Sequence, residues 1–259
     1  MWVGTQFRFE RRVVEYTMAQ APLGRINVVI LSLDTTTRGG SVAVMRDDLL
    51  LALVPGDAVR SHAERLPGEL EAALARAGLR RGDIDLLAVA TGPGAFTGLR
   101  IGLATAQGLA MTLHRPVIGI SALDALAAEA ADGRATIVSP WMDAQRGEVF
   151  ATLLDLAAAH TLEPPIAAPP AVLLEAWRAH IAGKPAVFIG DAVERDAALI
   201  AEAGAGQWTI RTPPHLAPAL ARLARGRAER GEAGLPHQLA PIYVRRPDVE
   251  VESERRGRP

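Results

Sequence analysis

The 259-residue sequence predicts an α/β fold of two stacked, similarly built halves, and three observations lead there. NVVILSLD (27–34) and DIDLLAVAT (83–91) are near-continuous apolar runs, the pattern of strands buried on both faces. Elements in the first half follow the order strand, strand, strand, helix, strand, helix, which is that of a ribonuclease-H-like unit. The second half repeats this order loosely, so the expected fold is a duplication, with mixed sheets flanked by helices.

TTTRGG (35–40) turns the first run into SVAVMRDD, and LLLALV follows at once, which makes Asp47-Asp48 a hairpin turn. In RSHAERLPGELEAALARAGL (60–79), Leu66, Leu70 and Leu74 recur at helical spacing. Pro67 lies inside this stretch, where proline costs ~3 kcal/mol, so a kink or a restart is expected there. DIDLLAVAT then delivers the chain into ATGPGAFTGLRIGLATAQGLA (90–110), whose helix should end near His114-Arg115-Pro116. PVIGI and a helix over SALDALAAEAA close the first half.

ATIVSPWMDAQRGEVFATLLDL (135–156) reads as two strands with a turn near Gln145-Arg146-Gly147. A Pro-rich connection, EPPIAAPP (163–170), leads to a helix over 171–181, the strand AVFIG, and more helix. The halves should join near Asp132-Gly133, giving subdomains at 26–133 and 134–246. Residues 1–25 read as a disordered leader, with translation starting at Met18, and 247–259 as a charged, disordered tail.

Composition narrows the function. The net charge of −1 argues against a primary nucleic-acid binder. The absence of cysteine excludes disulfides, thiolate catalysis and cysteine-ligated metal. Lys184 is the only lysine, so any mechanism that needs one has a single candidate. Charges interrupt the leader, and no apolar run reaches about 18 residues, so neither export nor a membrane span is expected and the cytoplasm is the expected compartment.

The glycine motif raises a choice between a phosphate loop and a packing helix. A P-loop needs lysine after its last glycine, but Gly98 is followed by Leu99 and Arg100. Gly92, Gly94 and Gly98 give GxGxxxG, one residue too long for a dinucleotide fingerprint. What remains is a ridge of small residues four apart, Gly98, Gly102, Ala106 and Ala110, beside Leu99 and Leu103. Such a ridge lets another element approach closely, either the subdomain's own sheet or a helix of a second chain.

None of the six histidines is paired at HxxxH or HExxH spacing, and His62 reads as a capping or interface residue. Asp34, Asp143 and Asp191 each follow a strand or its glycine, where actin-like sugar kinases hold metal- and phosphate-handling carboxylates. Each could equally cap or end an element. Arg222, Arg225, Arg227 and Arg230 could touch RNA phosphates, or form a solvated face with Glu229 and Glu232.

Together, ILSLDTTTRGGSVAV, RSHAERLPGEL, the 90–110 block, GISALDALA, MDAQRGEVF and PIYVR resemble the TsaB family of tRNA threonylcarbamoyladenosine biosynthesis proteins, earlier labelled glycoprotease-like. The resemblance runs from about Ile26 to Arg245 and implies an actin-like, two-subdomain ASKHA fold. It implies a non-catalytic subunit that binds and activates the related catalytic subunit TsaD, with the ATPase TsaE in the larger complex. That machinery transfers threonylcarbamoyl to the adenosine beside the anticodon, so tRNA would be met indirectly. The partner face would be built from helices at about 60–77 and 97–113, and would also make homodimers when the chain is alone.

Expected interface residues are thus His62, Leu66, Leu70, Gly98, Leu99, Gly102, Leu103, Ala106 and Ala110. Gly102→Arg should then block the heterodimer without unfolding the chain; unfolding would instead put the ridge in the core. The catalytic paralogue's HxxxH pair falls on Ala122 and Leu126, whose side chains cannot ligate a metal. No metal or cofactor is expected on this chain alone. ATP or ADP is expected only in the complex, with Asp34, Thr35, Thr36 and Asp143 as candidate nucleotide contacts. A kinase of actin-like fold is the alternative; it requires ATP turnover by the isolated chain, lost in Asp34→Ala.

Overall fold

The structure is a computed structural model that describes residues 27–131, 136–213 and 215–245. The expected leader, the join at Asp132-Gly133 and the tail lie outside the described residues. The first sheet is built from β1 (Val29–Asp34), β2 (Ser41–Arg46), β3 (Leu49–Pro55), β4 (Leu86–Ala90) and β5 (Val117–Ile120). Its order is β3-β2-β1-β4-β5, with β1 antiparallel to β2 and parallel to β4. β1 and β4 are buried along their whole length, as near-continuous apolar runs require.

The second sheet repeats the plan with β6 (Ile137–Asp143), β7 (Val149–Asp155), β8 (His160–Ala168), β9 (Ala186–Ile189) and β10 (Trp208–Arg211). Its order, β10-β9-β6-β7-β8, is the first sheet's order in corresponding strands. Two mixed sheets of one topology, each flanked by helices, are the duplicated ribonuclease-H-like, actin-like arrangement.

The helices are α1 (His62–Arg76), α2 (Phe96–Leu113), α3 (Ala122–Ala130), α4 (Pro170–Ile181), α5 (Ala197–Ala203) and α6 (Ala217–Glu229). α1 and α2 cover the outer face of the first sheet, and α4 and α5 that of the second. The two remaining helices are exchanged between the halves. α3, from the first half, packs on β6 and β9, whereas α6, from the second, lies across β1, β2, β4 and β5. Ser32 Oγ fixes this seam by donating to the Ala217 carbonyl at 2.7 Å, and the Ala217 N–H donates to Ser41 Oγ at 3.1 Å. One apolar core therefore runs through Ile30 and Ile120 of the first sheet, both helices, and Val138 and Ile189 of the second.

Three local expectations change. α1 runs unbroken through Pro67, which is exposed and forfeits only the bond its own N–H would have made. EPPIAAPP is mostly strand: β8 is an edge strand paired only with β7, and Pro164 and Pro165 fall at an irregularity between the pairs Leu153–Glu163 and Ala151–Ile166. An edge bulge is where a sheet tolerates residues without an N–H. WTIR forms β10, a strand that the periodicity had not singled out. The arginines of α6 are engaged within the chain, with Arg222 paired to Glu129, Arg225 to Asp48, Arg227 to Asp124 and Arg230 to Glu232. Among the described residues, no helix is long and apolar enough to cross a membrane.

Candidate functional site

Strand ends from both halves converge on a cleft of about 700 Å3. It is lined by Thr36–Arg38 after β1, Pro93–Thr97 at the start of α2, Asp143–Gln145 at the end of β6, and Asp191 and Arg195 after β9, with Ile242–Arg245 across its mouth. A crevice at the carboxyl ends of parallel strands is where open α/β sheets bind ligands.

Of the four candidate nucleotide contacts, Thr36 and Asp143 line the cleft, while Asp34 and Thr35 lie buried behind it. Asp34 Oδ1 accepts the Thr36 N–H at 2.9 Å and the Thr36 hydroxyl at 2.5 Å. Burial pushes the Asp34 pKa up, and those two bonds with the weaker pull of His62 and His215 do not cancel it. Thr35 Oγ1 is buried under α2 without a hydrogen-bond partner.

Across the cleft, Asp143 Oδ1 accepts from the Gln145 N–H at 3.1 Å and from Arg195 Nη1 at 2.8 Å. Asp143 Oδ2 accepts from Gln145 Nε2 at 2.6 Å. Asp191 accepts the Asp143 N–H at 3.0 Å, and its pKa is raised by burial first and by the charges of Asp143 and Asp34 after that. These carboxylates are committed to the chain's own donors. Among the described residues, no three carboxylate or histidine side chains gather closely enough to hold a metal ion. Ala122 and Leu126 are buried in α3.

A carboxylate that folding makes harder to ionise favours the fold at low pH. The contribution shrinks as pH rises past the ordinary aspartate value toward the raised one. Asp34→Asn should therefore melt higher than the parent at pH 7, by roughly 2–4 °C for each kcal/mol of burial cost removed, and the gap should narrow on acidification. A lower Tm at pH 7 would mean that the Thr36 bonds outweigh the burial.

The small-residue ridge faces inward, which corrects its placement at a second chain. Gly98, Leu99, Gly102, Leu103, Ala106 and Ala110 are all buried within the chain itself, as are Leu66 and Leu70. A Cβ at Gly98 would overlap the Thr35 carbonyl and meet His62 Cδ2 at 3.0 Å; one at Gly102 would overlap Thr35 Oγ1. The ridge thus lets α2 settle on the loop that follows β1.

His62, half-buried at the start of α1, is the hinge point of this packing. Its Nε2–H donates to the Thr37 carbonyl at 2.9 Å, and its Nδ1 accepts from Arg65 Nη2 at 2.7 Å. Burial and then the Arg65 charge hold its pKa below the ordinary value, so the ring is neutral, as those two bonds need. The buried Arg65 also donates to the carbonyls of Arg38 and Gly39 and pairs with Glu69. Sequence reasoning passed over Arg65 because its partners are backbone atoms of a distant loop.

What the two helices present outward is a different set. Ala63, Gly68 and Ala75 of α1 and Thr97, Ala104, Gly108 and Met111 of α2 are exposed. Nothing lies within 4 Å of a Cβ built on Gly68 or Gly108. On α2, Thr97, Ala104, Gly108 and Met111 fall on one uncovered face of mostly small side chains, whereas α1 presents Gly68 and Ala75 beside Glu64 and Glu71.

The family model described as TsaD, tRNA N6-adenosine threonylcarbamoyltransferase, matches residues 52–165. An uncharacterized Mycobacterium tuberculosis protein is 34% identical, over 88% of this chain and 97% of that protein. The tRNA threonylcarbamoyladenosine biosynthesis protein TsaB of Bacillus subtilis is 28% identical over 86% and 97%. Its Escherichia coli namesake is 40% identical over 47% of this chain and 52% of that one. YeaZ from Pseudomonas aeruginosa superposes with a TM-score of 0.65 at 27% identity, covering 83% of this chain and 99% of that chain. With the doubled sheet order and the 90–110 block in place, the chain belongs to the TsaB/YeaZ-like family.

Proposed function

We propose that this protein takes part in tRNA threonylcarbamoyladenosine biosynthesis as a non-catalytic subunit that binds and activates a TsaD-type transferase. The names of its relatives support the pathway. The observation that carries the subunit role is the bare outer face of α2, where Ala104 and Gly108, with Gly68 of the neighbouring α1, leave the helix backbone free for close approach. In this reading that face pairs with the transferase, or with a second copy when the chain is alone, and a TsaE-type ATPase joins the larger complex. ATP or ADP belongs to that complex, and the compartment is the cytoplasm. The kinase reading is not favoured, because Asp143 and Asp191 are tied up by Gln145, Arg195 and each other.

The test is reconstituted threonylcarbamoylation of tRNA with every other component present. Product should form only when this chain is added, and equally well with Asp34→Ala. Product formed without the chain would end the reading, and loss with Asp34→Ala would move the chemistry into its cleft.

A further inference from the structure

At the mouth of the cleft two aromatic rings stand in solvent instead of in the core. Phe96, the first residue of α2, is 40% exposed, and Tyr243 is 43% exposed. Their ring centroids are 5.6 Å apart at a tilt of 32°. The Arg100 guanidinium lies 3.8 Å from the Phe96 centroid, and its Nε donates to Tyr243 Oη at 3.2 Å. The three side chains are thus fixed against one another on the surface.

Among the described residues, two cations here stand without a carboxylate partner, against one carboxylate of the same cleft, Asp191, whose partner is the Asp143 N–H. Arg195 is neutralised by Asp143 and Asp196, and Arg245 by Glu148. Arg100 and the exposed Arg38 have no carboxylate partner among the described residues. Arg38 belongs to the loop hydrogen-bonded to the start of α2, where the Ala95 N–H donates to the Thr36 carbonyl at 2.8 Å. The first turn of α2 carries no acidic residue and no side-chain cap, so its N–H groups add to the same positive field.

A ligand matching this patch needs a flat π-face and a negative charge, which is the chemistry of a nucleotide. The platform is open at the cleft mouth, not enclosed, and so suits one residue of a polymer better than a small molecule, whose sites bury most of it. We propose that Phe96, Arg100 and Tyr243, with Arg38 lining the same cleft, form a stacking platform for an unpaired nucleotide of tRNA. The base stacks on the aromatic pair and its phosphate meets the two guanidinium groups. This rests on the tRNA reading above and adds a direct RNA contact to it. The chain's net charge of −1 fits a local contact that orients RNA held mainly by other subunits.

The test uses the complete reconstituted complex with intact tRNA. Tyr243→Ala should raise the KM for tRNA about ten-fold with kcat unchanged, and Tyr243→Phe should restore it. Arg38→Ala should flatten the dependence of log KM on log salt by about 0.7. An unmoved KM for tRNA overturns the proposal. So does a Tyr243→Ala variant that no longer co-purifies with the transferase, since the patch is then a protein contact. A rise confined to the KM for ATP would assign the platform to a free nucleotide and overturn it as well. Leaving the chain out tests the subunit role separately: chain-dependent product with an unmoved KM sinks only the platform, whereas chain-independent product sinks the subunit role.

Discussion

Gly102→Arg should abolish the cooperative thermal transition of the isolated chain. A Cβ at this position already overlaps Thr35 Oγ1, and Thr35 is fully buried. Neither side can yield: α2 is pinned one turn earlier by Gly98 against the Thr35 carbonyl, and the loop is pinned through Thr36 to Asp34. The new side chain would also carry an unpaired guanidinium into the buried seam between α2 and Thr35. Overpacking costs 1–3 kcal/mol and a buried unpaired charge several more, against a total stability of about 5–15 kcal/mol. Circular dichroism melts decide the matter. A transition like the parent's would mean that α2 can rise off the loop, and would return the ridge to a partner surface.

Ala104→Arg should do the opposite, leaving the fold intact and removing the complex. Ala104 is exposed midway along α2, on the side away from Gly102. A surface change of this kind shifts stability by no more than about 0.5 kcal/mol. If this outer face is where two helix backbones meet, a long charged side chain at its centre holds them apart and leaves a charge to be desolvated. A loss of about 3 kcal/mol is roughly a hundred-fold in Kd. Sedimentation or calorimetric titration against the transferase, alongside a melt, reads both quantities. An unchanged Tm with undiminished affinity would place the partner on another face.

These two variants mark what a single sequence could and could not disclose. Spacing four apart identified Gly98, Gly102, Ala106 and Ala110 as one face of one helix, because periodicity is set by helix geometry. What lies opposite that face is a tertiary matter, and here it is Thr35, sixty-odd residues upstream. The strands were legible for a related reason. β1, β4 and β9 are covered on both sides, so their sequences stay apolar without alternation. β8 was hidden because an edge strand does not have to look like one, and two prolines at a bulge resemble a linker. In the cleft, Asp34, Asp143 and Asp191 stood out as carboxylates at strand ends. The partners that hold Asp143, Gln145 and Arg195, are ordinary surface residues until the fold brings the latter 52 positions back.

The crossing of α3 and α6 also bears on how the polypeptide is made. When the ribosome has delivered the first sheet, the face that will receive α6 is bare, since that helix begins at Ala217. α3 has no seat either until β6 and β9 are paired. Neither half can finish before nearly the whole chain has left the exit tunnel, and a nascent chain stalled before residue 217 displays Ile30, Leu86 and Ile120 to whatever is near. Productive folding is therefore late and all at once, and a gene cut between the halves should yield two insoluble products where the intact gene yields one soluble protein.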